Sequence, residues 1–235
     1  MKLGIMQPYF FPYIGYWQLM NAVDKYVVYD DVNFIKGGWI NRNRILVNGK
    51  AHYFNVKMHD SSSFKLINEI QIDTNETHIN KNLKTIYMNY CKAPYFSEVY
   101  PLLESILKTE TINLAEYVIN SIKCVSEYLD IKTDIIISSS ISKNNKLRGK
   151  DKVIEICKIL EATEYYNAVG GIDLYSFEEF KKNGINLMFL KTNEIIYQQF
   201  NNLFIPNLSI IDVMMFNSKN DIKNMLQAFT LIKEA

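Results

Sequence analysis

Two adjacent carboxylates, Asp30-Asp31, stand directly after an apolar run, and the cations Lys36 and Arg42 follow within a short stretch. A carboxylate beside an attacking amine would hold its ammonium form and take the proton as attack proceeds. General-base help of this kind is worth about 10²–10⁴-fold in rate. Lys36 or Arg42, together with the backbone amides of Gly170-Gly171, could then stabilise a developing oxyanion, at about 10²–10³-fold per donor. Asp30, Asp31, Lys36 and Arg42 are therefore the candidate catalytic groups. Adjacent residues of a strand point to opposite faces, so only one of the two aspartates can easily face a pocket. Amides and rings crowd the same region and are the candidate binding groups: Gln7, Tyr9, Tyr13, Trp39, Asn41 and Asn43, with Gly170 and Gly171 from far along the chain. An interface patch would be richer in Trp, Tyr and Arg and poorer in amides and carboxylates. That composition favours a site.

The elements around these residues would place them together. Leu3-Gly4-Ile5-Met6 is an apolar run long enough for a strand buried on both faces, and Gln7-Pro8 ends it. A ring-rich loop follows from Tyr9 to Tyr13, then Gly15 and an apolar segment reaching Ala22. Tyr26 to Tyr29 is a second buried run, and it delivers Asp30-Asp31 at its carboxyl tip. In open α/β sheets that edge is where ligands bind. Ile45-Leu46-Val47 runs into Asn48-Gly49, a type I′ turn signal, so Arg44–Val56 reads as an antiparallel hairpin at the sheet edge or over the site.

Beyond the hairpin, Leu66 to Ile72 reads as a further strand. Ile79, Leu83, Ile86 and Tyr90 form a helical stripe ended by Pro94, and Pro101 falls near the start of the next helix. Asn113 is placed to cap a helix carrying Leu114, Val118, Ile122, Val125 and Leu129. Ile135-Ile136-Ile137 reads as a buried parallel strand, and Lys152 to Leu160 as a helix. Tyr165-Tyr166-Asn167 leads to Gly170-Gly171, and Leu187 to Leu190 is another strand. Ser209 caps a final helical region with Asp212 in its first turn, where a carboxylate suits the helix dipole. Strands alternating with helices imply one α/β domain over residues 1–235, with a mostly parallel, Rossmann-like sheet flanked by helices and the hairpin as an appendage.

Composition excludes several classes. With 26 basic and 25 acidic residues, a net charge of +1 provides no long-range field to draw nucleic acid or an anionic membrane. The three cysteines, Cys91, Cys124 and Cys157, are odd in number and widely spaced, which argues for a reducing cytoplasm. Gln7 and Pro8 cut the first apolar run too early for a signal peptide, and no run reaches membrane-spanning length. The expected location is the cytoplasm, without membrane insertion. His52, His59 and His78 show no metal-ligand spacing, so no metal is expected. Cys124 and Cys157 read as core, and the His59-Asp60 pair as an exposed loop. No cofactor is readable.

Several stretches carry a resemblance that covers almost the whole chain. MQPYFFPYIGYWQLM with YDDVNFIKGGWINRNRIL, KTIYMNYCKAPYF, VGGIDLY and IPNLSIIDVMMFN are similar to the WbqC-like proteins, found in O-antigen and related glycan clusters. The resemblance implies transfer of an amino acid, glycine in particular, or a related acyl group onto an amino sugar, nucleotide-linked, in O-antigen or surface polysaccharide synthesis. Its partners would be that sugar and an activated donor, for instance on a carrier protein. The alternative is a non-catalytic sugar-nucleotide-binding or assembly protein of the same pathway. Where the family often has a longer glycine-proline-glycine-glycine turn followed by Lys-Asp, this chain has Ala168 to Asp173, so no role of that lysine carries over. The first strand, loop and helix also resemble nucleotidyltransferase-type folds, but Tyr13-Ile14-Gly15-Tyr16 lacks their histidines, so ATP chemistry does not follow.

Overall fold

In the computed structural model, which describes residues 1–201 and 203–234, the apolar runs come together in one sheet. The elements run β1 (Lys2–Met6), α1 (Ile14–Asn21), β2 (Lys25–Val28), the hairpin β3 (Arg42–Val47) and β4 (Lys50–Asn55), and a two-residue ribbon, β5 (Met58–His59) with β6 (Gln71–Ile72). Three helices follow: α2 (Glu76–Tyr90), α3 (Phe96–Leu107) and α4 (Leu114–Tyr128). The chain then returns to the sheet with β7 (Asp134–Ile137), α5 (Gly149–Ile159), β8 (Glu164–Ala168), α6 (Phe177–Lys182) and β9 (Asn186–Thr192). It closes with α7 (Ile210–Phe216), α8 (Lys219–Met225) and β10 (Phe229–Ile232).

The strand order is β10-β9-β8-β1-β2-β7. All neighbours are parallel except β10, which runs antiparallel to β9. Period-two alternation sends successive side chains to two separate cores. Leu3, Ile5, Val27, Tyr165, Leu187 and Phe189 pack on one face with Val153 and Ile156 of α5 and Phe180 of α6. Tyr26, Val28, Tyr166 and Leu190 face the other way, against Trp17, Leu19 and Met20 of α1 and the helices beyond. From β1 the chain crosses one face to β2. From β8 it crosses the other face to β9, on the opposite side. The carboxyl ends of β1 and β8 are therefore adjacent strands whose chains diverge, the switch point at which such sheets open a crevice.

The structure departs from expectation in instructive places. Leu66–Ile72 is a 3-10 turn at Ile67–Glu69 followed by the short β6, because Glu69 folds back to take the Leu66 N–H at 2.8 Å and breaks the extended run. Pro101 lies inside α3, at its sixth residue; the helix persists because Val99, Leu103, Ile106 and Leu107 are all buried. The Ile135–Ile137 run is parallel but forms the sheet's edge and is only half-buried, since no strand follows β7. Cys124 is half-buried beside Asn120, while Cys157 is buried. The Asn48-Gly49 turn has positive φ at both residues, 50° and 72°, as a type I′ hairpin requires. The hairpin forms its own two-stranded sheet. Among the described residues no helix is long and apolar enough to cross a membrane.

Asp212 is the largest departure. Its carboxylate is wholly buried and takes hydrogen bonds from Tyr90 Oη (2.8 Å), Tyr197 Oη (2.7 Å) and Gln199 Nε2 (2.7 Å). Tyr90 Oη in turn accepts from the Leu46 N–H at 2.7 Å, so one carboxylate ties α7 to α2 and to β3. Burial raises the Asp212 pKa, with the three hydrogen bonds pulling it down against that shift. Asp212→Ala strands these donors in the interior, each costing about 1–3 kcal/mol. The expected result is a loss of at least about 3 kcal/mol in denaturant unfolding, with Asp212→Asn milder because its carbonyl still accepts. Because the folded pKa lies above the unfolded value, this group's contribution improves as pH falls from neutral towards the usual carboxylate range.

Candidate ligand cleft

The last inter-strand bond beyond β1 is Tyr29 N–H to Met6 O at 2.8 Å, after which Gln7 and Pro8 leave the sheet. The loop that follows turns two rings inward and leaves tyrosines outside. Phe10 and Phe11 are fully buried, with Phe10 stacked on Phe54 of β4 at 4.9 Å. Their carbonyls turn inward too, and both are met: Asn43 Nδ2 donates to Phe10 O (3.1 Å) and Phe11 O (2.9 Å), and Ser209 Oγ to Phe11 O (2.7 Å). Phe11 holds φ +42°, a left-handed conformation that a non-glycine residue keeps only when its surroundings impose it. The indole N–H of Trp17 donates to Pro12 O at 3.0 Å and closes the loop onto α1.

This construction presents Tyr9, Tyr13 and Tyr16 to a cleft of about 640 Å³ over the carboxyl ends of β1, β8 and β9. Gln7, Tyr29, Trp39, Asn43 and Arg44 line it on one side, and Asn167, Gly170, Gly171, Tyr175 and Thr192 on the other. Tyr13 Oη and Thr192 Oγ1 lie 3.0 Å apart directly over Gly15, where a Cβ would come within 2.1 Å of the phenol oxygen. Gly171 packs under Asn167, whose amide nitrogen would lie 2.7 Å from an added Cβ, whereas the position over Gly170 is open. Both glycines belong to the 3-10 turn Val169–Leu174 that leaves β8, and the first N–H groups of such a turn have no partner within it.

The cleft thus gathers Gln7, Tyr9, Tyr13, Trp39, Asn43, Gly170 and Gly171. Asp30, Asp31, Lys36, Asn41 and Arg42 are not in its lining. Asp30 is buried and accepts from Ser139 N–H (2.9 Å) and Ser139 Oγ (2.6 Å). Asp31 takes Ser138 Oγ at 2.6 Å and pairs with the buried ammonium groups of Lys143 (2.8 Å) and Lys152 (3.0 Å). Both aspartates lie past the end of β2 and turn to the same Ser138–Ser139 segment after β7, Asp31 also to Lys143 and Lys152, and neither lines the cleft. Asn41 pairs with Val56 across the hairpin base. Arg42 donates to Gly37 O and Gly38 O and lies over the Tyr53 ring, bracing the loop that carries Lys36, which is exposed and without a hydrogen bond among the described residues.

Arg44 escaped the sequence reading. Only its place on β3 next to Asn43 could have drawn attention to it, because alternation sends Arg42 and Arg44 to the same face. Its Nη2 donates to Asn207 O at 3.2 Å, its guanidinium carbon sits 5.6 Å from the Trp39 ring centre, and its Nε is buried with no acceptor. The Tyr29 hydroxyl, also on the lining, is likewise buried without a partner, and burial, followed by the nearby Asp31 charge, holds its pKa up. Among the described residues no group of three or more His, Cys, Asp and Glu could hold a metal ion. A second cleft, of about 780 Å³, lies between β4, α2 and the α3–α4 connection. It receives nothing from the parallel strand ends, and its His78 and Asp73 pair with each other at 3.3 Å. The first cleft is the better candidate.

A family model described as the WbqC-like protein family matches residues 7–224, a span that contains every residue of this cleft from Gln7 to Asn207. The chain belongs to the WbqC-like family. An uncharacterized protein of Mycobacterium tuberculosis, Rv1507c, is 26% identical over 220 residues, covering 92% of this chain and 93% of that protein. No solved structure matches. In this WbqC-like protein the matched span also holds the hairpin, Asp212 and its three donors, and it begins directly after β1.

Two substitutions separate the framework from the cleft. Burial raises the Asp31 pKa, but Lys143, Ser138 and Lys152 outweigh it and hold the carboxyl below its usual range. Its stabilisation is therefore complete above the unfolded carboxylate pKa and is lost as pH falls towards the lower folded value. Asp31→Asn leaves two buried lysines without a counter-ion and is expected to lower stability at pH 7 by about 3–5 kcal/mol. The loss should shrink in acid, as read from urea unfolding at neutral and low pH. Gly15→Ala should displace both the Tyr13 phenol and the Thr192 hydroxyl, which would lie 2.1 and 2.6 Å from the added Cβ, and Tyr13→Ala in the same chain should relieve only the first of these clashes. Unchanged crystal positions of Tyr13 and Thr192 in Gly15→Ala would contradict this.

Proposed function

We propose that this WbqC-like protein transfers an activated acyl group, glycyl by preference, to the amine of a nucleotide-linked amino sugar in O-antigen or surface polysaccharide synthesis. The observation that carries the reading is the cleft itself: a ring-lined crevice at the switch point, with amides and hydroxyls among the rings and no carboxylate among its described lining residues. Tyrosine and tryptophan faces suit the apolar faces of a sugar, while Gln7, Asn43, Asn167 and Thr192 are groups that could meet its hydroxyls.

The lining also suits an amine nucleophile of a particular kind. An amine held in the cleft away from water has its pKa lowered by desolvation, which favours the neutral, attacking form. The amine nitrogen bonds to the acyl carbon, and the bond from that carbon to the donor's leaving group breaks. The amine proton leaves with the departing group or to water. The N–H groups around Gly170 and Gly171 are the proposed donors to the carbonyl oxygen, at about 10²–10³-fold each. Asp30 and Asp31 have no part in this scheme, their oxygens being engaged by Ser139, Ser138 and the two lysines.

A second reading is favoured by the same lining, which among the described residues contains no carboxylate, imidazole or thiol: a sugar-nucleotide-binding protein without chemistry of its own. Mass spectrometry of sugar nucleotides from cells with and without the gene separates the two. The transferase reading expects a glycyl-bearing amino-sugar nucleotide that disappears on deletion and returns with the wild-type gene. An unchanged profile, with tight binding of a sugar nucleotide by the purified protein, would favour the binding protein.

A further inference from the structure

We infer that Arg44 is the anion-recognising residue of the cleft, taking a pair of phosphoryl or carboxylate oxygens side-on through Nε and Nη. The inference rests on the reading of the cleft as the ligand site, and it names the chemical group by which the ligand is selected. Arg44 is the sole charged side chain among the described lining residues, and it forms no ion pair with any described residue. The contrast with the buried lysines is sharp. Lys143 and Lys152 are deeply buried, and both share the Asp31 carboxylate at 2.8 and 3.0 Å. Arg44 is half-buried, but its Nε is out of water, and a charged donor held there without a counter-ion is a free-energy cost. A ligand anion removes that cost.

The unmet valence is specific. Nη2 is held by Asn207 O at 3.2 Å, and Nε, which is buried, reaches no acceptor among the described residues. An unpaired buried donor on a charged group is the costliest kind to leave unmade. The backbone cannot shift to relieve it, because the Arg44 N–H donates to Asn43 Oδ1 (2.8 Å) and the Arg44 carbonyl accepts from the Ser209 N–H (2.8 Å). What can move is the side chain. A turn of the guanidinium on its flexible stem, sliding on the Trp39 ring, brings the Nε–Nη edge round to the cleft as the anion docks. That edge matches two oxygens of one phosphoryl or carboxylate group, which an ammonium cannot do. The two sources of this chemistry here are the phosphates of a nucleotide-linked sugar and the carboxylate of an amino acid.

Isothermal titration of the wild-type chain, Arg44→Gln and Arg44→Lys with four probes tests the inference: UDP-N-acetylglucosamine, UDP, N-acetylglycine and uridine. Wild type is expected to bind at least one anionic probe more tightly than uridine. Arg44→Gln should weaken that probe about ten- to hundredfold and leave uridine unchanged. Arg44→Lys should recover only part, since the charge returns without the fork. Loss with UDP identifies the phosphate, and loss with N-acetylglycine the carboxylate. Melting by circular dichroism checks that each variant folds, and Arg44→Lys carries the test should the glutamine variant not fold. Equal weakening of uridine and UDP, anion affinity indifferent to both substitutions, or no anionic probe bound by wild type would each overturn the inference. UDP-N-acetylglucosamine bound tightly but indifferently to Arg44 would overturn it and leave the nucleotide-sugar reading standing. N-acetylglycine bound through Arg44, with no affinity for the nucleotide sugar, would do the reverse.

Discussion

The carbonyls of Phe10 and Phe11 point into the interior at the end of β1, and a buried carbonyl must find a donor. Asn43 and Ser209 supply those donors, and each comes from a different part of the chain. Asn43 sits on the hairpin, and Ser209 is the cap of α7, where its Oγ also takes the Ile211 N–H at 3.2 Å. The loop after the first strand is therefore held in its strained form by the hairpin on one side and the cap of α7 on the other. The tyrosines that line the cleft are held out by the same arrangement that draws the phenylalanines in.

The second anchor is ionic and lies on the opposite side of the sheet's carboxyl edge. Asp31 gathers Lys143, Lys152 and Ser138, which fastens the end of β2 to β7 and to the start of α5. Asp212 performs a related task for the hairpin with neutral donors. The two carboxylates show how environment moves the pKa of one chemical group in opposite directions. Cationic partners overcome burial at Asp31, while at Asp212 burial prevails over three neutral hydrogen bonds. Both are framework groups, and neither lines the cleft.

A crevice between diverging strands, an arginine without a counter-ion and a cover of aromatic rings are three independent features that meet at one place. The sheet topology accounts for the crevice, and the loop carbonyls account for the rings. The arginine is the feature that folding alone does not explain. Its position next to Asn43 on β3 means that the residue clamping the aromatic loop also takes the Arg44 N–H and so fixes the backbone from which the arginine enters the cleft wall.

Much of this was legible in the residues alone. Local patterning determined the buried parallel strands at Leu3, Tyr26, Tyr165 and Leu187, the hairpin with its Asn48-Gly49 turn and the α4 cap at Asn113, because each is set by neighbours within a few positions. The meeting of Gln7, Tyr9 and Tyr13 with the glycine pair followed from parallel topology, which brings the ends of β1 and β8 to one edge, whereas Asn43 is brought there by the antiparallel hairpin and its bonds to the Phe10 and Phe11 carbonyls. What the sequence could not determine was which partner each polar group would find. Asp30, Asp31 and Arg42 have the side chains of a catalytic site, yet serines and lysines far along the chain engage the aspartates, and the neighbouring Gly37 and Gly38 carbonyls with the Tyr53 ring across the hairpin engage the arginine. Arg44 has the same side chain as Arg42 and the same strand face, and among the described residues it has no counter-ion and no acceptor at Nε. Strand β10 and the edge position of β7 were likewise decided at long range, where pairing depends on which neighbours arrive and not on the run itself. Local periodicity fixes an element. Charge pairing and burial belong to the tertiary structure, because they are properties of distance in space.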